Sequence, residues 1–131
     1  LRIAGLGRRE RNARRSEQLA AAGIAHLAGR QPHELTPSER QLAALARALA
    51  VRPRVLLADE PTAAMDAEAR ATLQRLLALM TARDGLVLLA TDDAEIAAGA
   101  DQRLALADGW LRVPPPSSPR LQALPSLDER A

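Results

Sequence analysis

Leu35-Thr36-Pro37-Ser38-Glu39-Arg40-Gln41 begins, and Val55-Leu56-Leu57-Ala58-Asp59-Glu60-Pro61-Thr62 with Asp66 ends, the stretch on which the fold turns. Its first part reads as a well-made helix start. Thr36 and Glu39 stand at the spacing of a capping box, and Pro37 falls at the first helical position, where its missing N–H costs nothing. Leu42, Leu45, Ala46 and Leu49 then recur at i, i+3, i+4 and i+7, so the helix from Ser38 to about Ala50 should bury one stripe before Pro53 stops it. Residues 55–58 form a short unbroken apolar run that ends in two acids. That is the pattern of a central parallel strand covered on both faces.

Downstream, Asp66 can cap a helix whose core stripe is Ala69, Leu73, Leu76, Leu77 and Met80, with Met80 as core filler rather than ligand. Asp84-Gly85 turns the chain into a second buried strand over residues 86–90. Strand, helix, strand in this order implies a right-handed parallel crossover, so the fold is α/β. Residues 104–107 and 110–113 flank Asp108-Gly109, a two-residue hairpin signal. Beyond Pro114 the run Pro-Pro-Pro-Ser-Ser-Pro leads into a tail that is expected to be disordered to Ala131.

Upstream, residues 8–22 read as a helix of good formers that ends near Gly23, followed by Ile24 to Leu27 and the polar connector Gly29 to Glu34. Arg2, Arg8, Arg9, Arg11, Arg14 and Arg15 cluster before residue 16, with Glu10 and Glu17 interleaved as on a solvated helix face. A nucleic-acid or anionic-lipid patch is the alternative, but no aromatic residue is interleaved to stack on bases, so nucleic acid is the less favoured partner. The pI of 10.8 does not change this, since the net charge is only +2.

The chain has 131 residues, 47% of them apolar and 26% charged, which suits one soluble globular piece with one core. Trp110 is its single aromatic residue, so the core must be built from Leu, Ala, Val and Ile. With no cysteine, disulfides and thiolate metal sites are excluded. No apolar run reaches the roughly 18 to 20 residues of a membrane span. His26 and His33 have no second ligand at a metal-binding spacing and read as surface or packing residues.

Taken together, the segment 35–41, the helical Ala46-Arg47-Ala48-Leu49-Ala50, the strand ending Asp59-Glu60-Pro61-Thr62, and Asp66 resemble the ATP-binding cassette (ABC) ATPases, over about residues 1–113. Their order and spacing match that family's signature motif, Walker B strand and D-loop. Residues 86–93 resemble its switch strand. The phrase Leu56 to Thr62 looks most like the ATPase subunits of lipoprotein and macrolide-type exporters.

The resemblance implies a P-loop NTPase-like parallel sheet, partial here, with the end of the helical subdomain at 1–34, the ATPase core at 35–113 and the tail at 114–131. It implies that Asp59 holds Mg²⁺ and that Glu60 is the general base for the water that attacks ATP. It also implies that Thr36, Ser38, Glu39 and Asp66 face nucleotide. Asp66 has a second reading, since capping its helix explains it without a role across a dimer.

All eighteen basic residues are arginine, so the chain cannot carry a Walker A lysine, and no G-x-x-x-x-G-K-[ST] loop is present. A fragment, a split gene or the product of a decaying gene is therefore expected, and the chain alone should neither bind ATP tightly nor hydrolyse it. Two departures weaken the pattern further. The glycines of the family signature, Leu-Ser-Gly-Gly-Gln, are replaced by Pro37 and Ser38, and proline donates no hydrogen bond. Asp92 stands where the switch histidine belongs. An aspartate about 4 Å from the γ-phosphate, at an effective dielectric near 20, is repelled by on the order of 4 kcal/mol, roughly a thousandfold in rate. The competing reading is that Asp92 caps a helix starting at Asp93.

The function implied is a partial ATP-binding subunit that couples ATP binding and hydrolysis to transport. It would dimerise with a second nucleotide-binding domain and contact a transmembrane permease subunit through the helical region. The place implied is cytoplasmic, against the inner face of the membrane. Two alternatives are a degenerate module that pairs with a complete ATPase, and a nucleic-acid-associated member of the superfamily.

Overall fold

The computed structural model describes residues 5–113, in two compact units divided after Asp92. The tail expected at 114–131 lies outside the described residues. The first unit holds helix α1 (Arg8–Ala21), helix α2 (Pro37–Leu49), strand β1 (Val55–Asp59), helix α3 (Ala67–Thr81) and strand β2 (Leu86–Ala90), with short 3₁₀ turns at Ala25–Leu27 and Pro32–Glu34.

The helix starts follow from local chemistry. In α2 the Thr36 hydroxyl accepts from the Glu39 N–H at 3.2 Å, and the Glu39 carboxylate accepts from the Thr36 N–H at 2.7 Å. In α3 the Asp66 carboxylate accepts from the Ala69 N–H at 2.9 Å. The α2 stripe is buried as expected: Leu42, Leu45, Ala46 and Leu49. In α3 the buried residues are Ala69, Thr72, Leu73, Leu76 and Met80, and Leu77 is only half-buried. Leu73 is fully enclosed and marks the centre of the core.

No residue of α1 is buried, which agrees with a solvated helix. It ends with the Ile24 N–H bonded to the Leu19 carbonyl and the Gly23 N–H to that of Ala20, a Schellman closure. Ala22 and Ile24, just beyond, are the residues that enter the core. The connector before α2 is more ordered than its composition suggests. The Glu34 carboxylate accepts from the Gln31 N–H at 2.6 Å and fixes the 3₁₀ turn there.

β1 and β2 pair in parallel, with Val55 opposite Leu86, Leu57 opposite Leu88 and Asp59 opposite Ala90. Among the described residues the expected cover is found on one face only. Leu56 is buried, and β2 touches α3, but Val55, Leu57, Leu86 and Leu88 all lie on the other face and are more than half exposed. Among the described residues β1 pairs with β2 alone. Gly85 precedes β2 because a Cβ there would lie 2.7 Å from the Met80 side chain and 2.8 Å from its carbonyl oxygen.

The second unit contains α4 (Ala94–Ala98) and the antiparallel strands β3 (Ala105–Ala107) and β4 (Trp110–Arg112). The hairpin turns on Asp108 and Gly109, with φ of 51° and 79°, the pair of positive values a type I′ turn requires. Asp93 caps α4, accepting from the N–H groups of Glu95 and Ile96 at 3.0 and 3.3 Å. The helix starts one residue later than expected, and the cap is Asp93. The reading of Asp92 as a cap is therefore overturned.

Candidate functional site

β1 delivers Asp59 and Glu60 to its carboxyl end, where both side chains are exposed. Ligands of parallel sheets are held at that end of the strands. The backbone bends sharply here. Glu60 has φ of 41°, in the left-handed region that side chains with a Cβ avoid, and its N–H donates to the Ala90 carbonyl of β2 at 2.8 Å. Pro61 and Thr62 follow and are buried, so the bend is clamped from both sides. The Thr91 hydroxyl donates to the Glu60 carboxylate over 3.4 Å, a long contact that holds it loosely. Thr91 was not among the residues expected at the site. The signal available was its place directly after β2, opposite the acid pair.

Asp92 is exposed.

The second cluster is at the amino end of α2. Thr36 and Glu39 are committed to each other in the capping box, and Pro37 has no N–H. The Arg40 N–H donates to the Thr36 carbonyl at 2.9 Å. Of the first-turn amides, that of Ser38 is left as the donor without a partner among the described residues. The Ser38 hydroxyl is itself occupied. It donates to the Ala64 carbonyl at 3.0 Å and accepts from the Asp66 N–H at 3.0 Å, which brings the two quoted segments of the sequence together across the loop 61–66.

Two carboxyls in this cluster titrate below their ordinary range. For Glu39 the main cause is the hydrogen bond from the Thr36 backbone N–H. For Asp66 it is the Ala69 backbone N–H. Both causes stabilise the ionised form by donating to it.

As to what these groups can hold, no set of three or more His, Asp or Glu able to bind a metal is assembled among the described residues. Asp59 offers a single exposed hard-oxygen donor. That fits Mg²⁺, which keeps several waters and takes one or two carboxylates, better than an ion needing a full protein cage. His26 and His33 are exposed in or beside the 3₁₀ turns.

The arginine-rich region has a shape of its own. A groove of about 490 Å³ is lined by Leu19, Ile24, Leu27 and Ala46 and by the arginines Arg11, Arg15, Arg30 and Arg47. No helix among the described residues is long and apolar enough to cross a membrane.

Residues 3–63 match the profile of the ABC transporter family. Over 114 residues the chain is 41% identical to the lipoprotein-releasing system ATP-binding protein LolD 2 of Caulobacter vibrioides, covering 86% of this chain and 50% of that protein. It is 39% identical over 114 residues to the Fe(3+) ions import ATP-binding protein FbpC of Pseudomonas fluorescens, covering 82% of this chain and 32% of that one. Among solved structures, it resembles an ATP-binding cassette described as a dimer in a post-hydrolysis state bound to ADP and Pi, with a TM-score of 0.73 and 32% identity over 79% of this chain and 46% of the other. The chain thus spans half or less of the length of these relatives.

Proposed function

Because the chain belongs to the ABC transporter family, as part of its ATP-binding domain, we propose that it is a partial ATP-binding subunit coupling ATP binding and hydrolysis to transport. The observation that carries this reading is the exposed acid pair at the carboxyl end of β1, Asp59 and Glu60, continued directly by the loop that Ser38 ties to the amino end of α2.

In this reading Asp59 holds Mg²⁺ through water, and the ion, when bound, neutralises charge on the phosphate oxygens of ATP. Glu60 takes the proton of the attacking water, and Thr91 keeps its carboxylate on the near side of β2. At α2, the Ser38 N–H and the positive end of the helix are what this chain offers to a phosphate. The groove between α1 and α2 would seat a permease subunit, and a second nucleotide-binding domain would complete the site. The protein would then work at the inner face of a membrane without crossing it.

A second reading, a degenerate module that pairs with a complete ATPase, draws on two observations. Asp92 stands exposed in the switch position, and Pro37 removes a donor from α2.

The deciding experiment joins this chain to the half of the Caulobacter relative that it does not span and measures Mg-ATP hydrolysis. The ATPase reading expects Glu60→Gln to lower the rate by about a hundredfold or more, and Asp92→His to raise it. Hydrolysis indifferent to Glu60 would leave the degenerate module as the better account, whereas a rate unchanged or reduced by Asp92→His would refute the impairment assigned to Asp92.

A further inference from the structure

We propose that Ser38 is a positioning residue: its hydroxyl latches the loop 61–66 to the amino end of α2, so that the signature-like turn and the segment following Glu60 move as one body. The family signature has glycine at this position, and a glycine has no atom with which to make the link.

The geometry carries the argument. The hydroxyl uses both of its capacities on one loop, donating to Ala64 and accepting from Asp66 at 3.0 Å each, across 26 and 28 residues of chain. Asp66 simultaneously starts α3 through the Ala69 N–H at 2.9 Å. The starts of α2 and α3 are therefore joined through a single side chain. At its other end the loop is fixed by the Glu60 N–H on the Ala90 carbonyl at 2.8 Å. In between, Thr62 and Met65 are buried. A segment of six residues anchored at both ends has little freedom to shift alone. Displacement of the α2 start is passed to the residue after the acid pair, and the reverse also holds.

The latch has a second consequence. Its hydroxyl is engaged within the chain, so Ser38 meets a phosphate through its N–H and not through its side chain. The latch itself rests on this geometry, and only its effect on turnover rests on the function proposed above.

The test uses the isotope-labelled full chain with Ser38→Ala, Ser38→Gly and Ser38→Thr. Losing the bond should speed exchange of the Asp66 amide by roughly fivefold. It should also move the Glu60 amide resonance. Threonine, which keeps the hydroxyl, should restore both. An Asp66 amide that exchanges equally fast in the parent and in Ser38→Ala overturns the latch. If the Ala and Gly variants lose protection throughout α2 and α3, the Thr variant decides: native behaviour upholds the hydroxyl, and loss there too overturns it.

In the joined domain, Ser38→Ala should lower kcat several-fold with little change in KM, and Ser38→Thr should recover it. An active domain whose kcat ignores Ser38 refutes the positioning role. An inactive parent domain with both effects present counts against the proposed function and leaves the latch standing.

Discussion

Replacing Glu60 separates backbone strain from chemistry at the proposed catalytic carboxylate. Its φ of 41° puts a residue with a Cβ where the side chain crowds the following carbonyl, at a cost of roughly 1–2 kcal/mol. Glycine avoids that cost but gives up about 0.5–1 kcal/mol through its freer unfolded chain. The Glu60 side chain is exposed and, among the described residues, held by the 3.4 Å contact with Thr91, so Glu60→Ala should change stability by less than about 0.5 kcal/mol. Glu60→Gly should then exceed Glu60→Ala by roughly 0.5–1 kcal/mol. For a unit of this size that is a melting shift of about 2–8 °C. Ala78→Gly, on an exposed position of α3, supplies the control of opposite sign, a loss of about 1 kcal/mol.

Urea and thermal denaturation followed by far-UV circular dichroism measure both. The reasoning is refuted if the alanine variant is as stable as the glycine variant. In the joined domain the glycine variant should be the more stable and yet inactive. Strain would then be retained at the carboxylate because the carboxylate is needed there, as strained backbone at functional sites generally is.

Leu73→Ala should cost about 3 kcal/mol, because Leu73 is fully enclosed, whereas Leu57→Ala should change urea stability by less than about 0.5 kcal/mol, since Leu57 is 69% exposed. Equal effects would mean that the open face of the sheet is covered in solution. Asp66 and Glu39 titrate lower in the folded chain than their ordinary values of 3.8 and 4.5, so their contribution is complete above those values and is lost as pH falls through the folded values below them. The urea midpoint should therefore drop between pH 6 and pH 3, and by less in Asp66→Asn; a midpoint that rises on acidification would contradict these assignments.

Much of the fold was legible because the signals are local. The α2 stripe, the Thr36 and Asp66 caps, the order of two strands about α3 and the hairpin at Asp108-Gly109 are each set by residues within a turn or two of one another. The acid pair at the end of β1 was legible for the same reason, as a change from apolar to charged at a strand terminus. Other features had no local signature. An apolar run such as Val55 to Ala58 looks the same whether one face or two are covered, because alternation is absent in either case and only the neighbouring elements decide. Whether Asp92 or Asp93 caps α4 depends on where the backbone leaves β2, a matter of one residue that composition does not fix.

The sequence by itself determined the order of helices and strands, the starts of α2 and α3, and that the acid pair Asp59 and Glu60 stands at the end of a parallel strand. Tertiary structure alone decided that Val55, Leu57, Leu86 and Leu88 share an open face, that Glu60 sits at positive φ with Thr91 beside it, and that Ser38 reaches Ala64 and Asp66. The physical reason is range. Caps and stripes are written in residues three or four apart, whereas these contacts join residues about 26 to 31 apart, whose meeting is fixed only when the helices and strands pack.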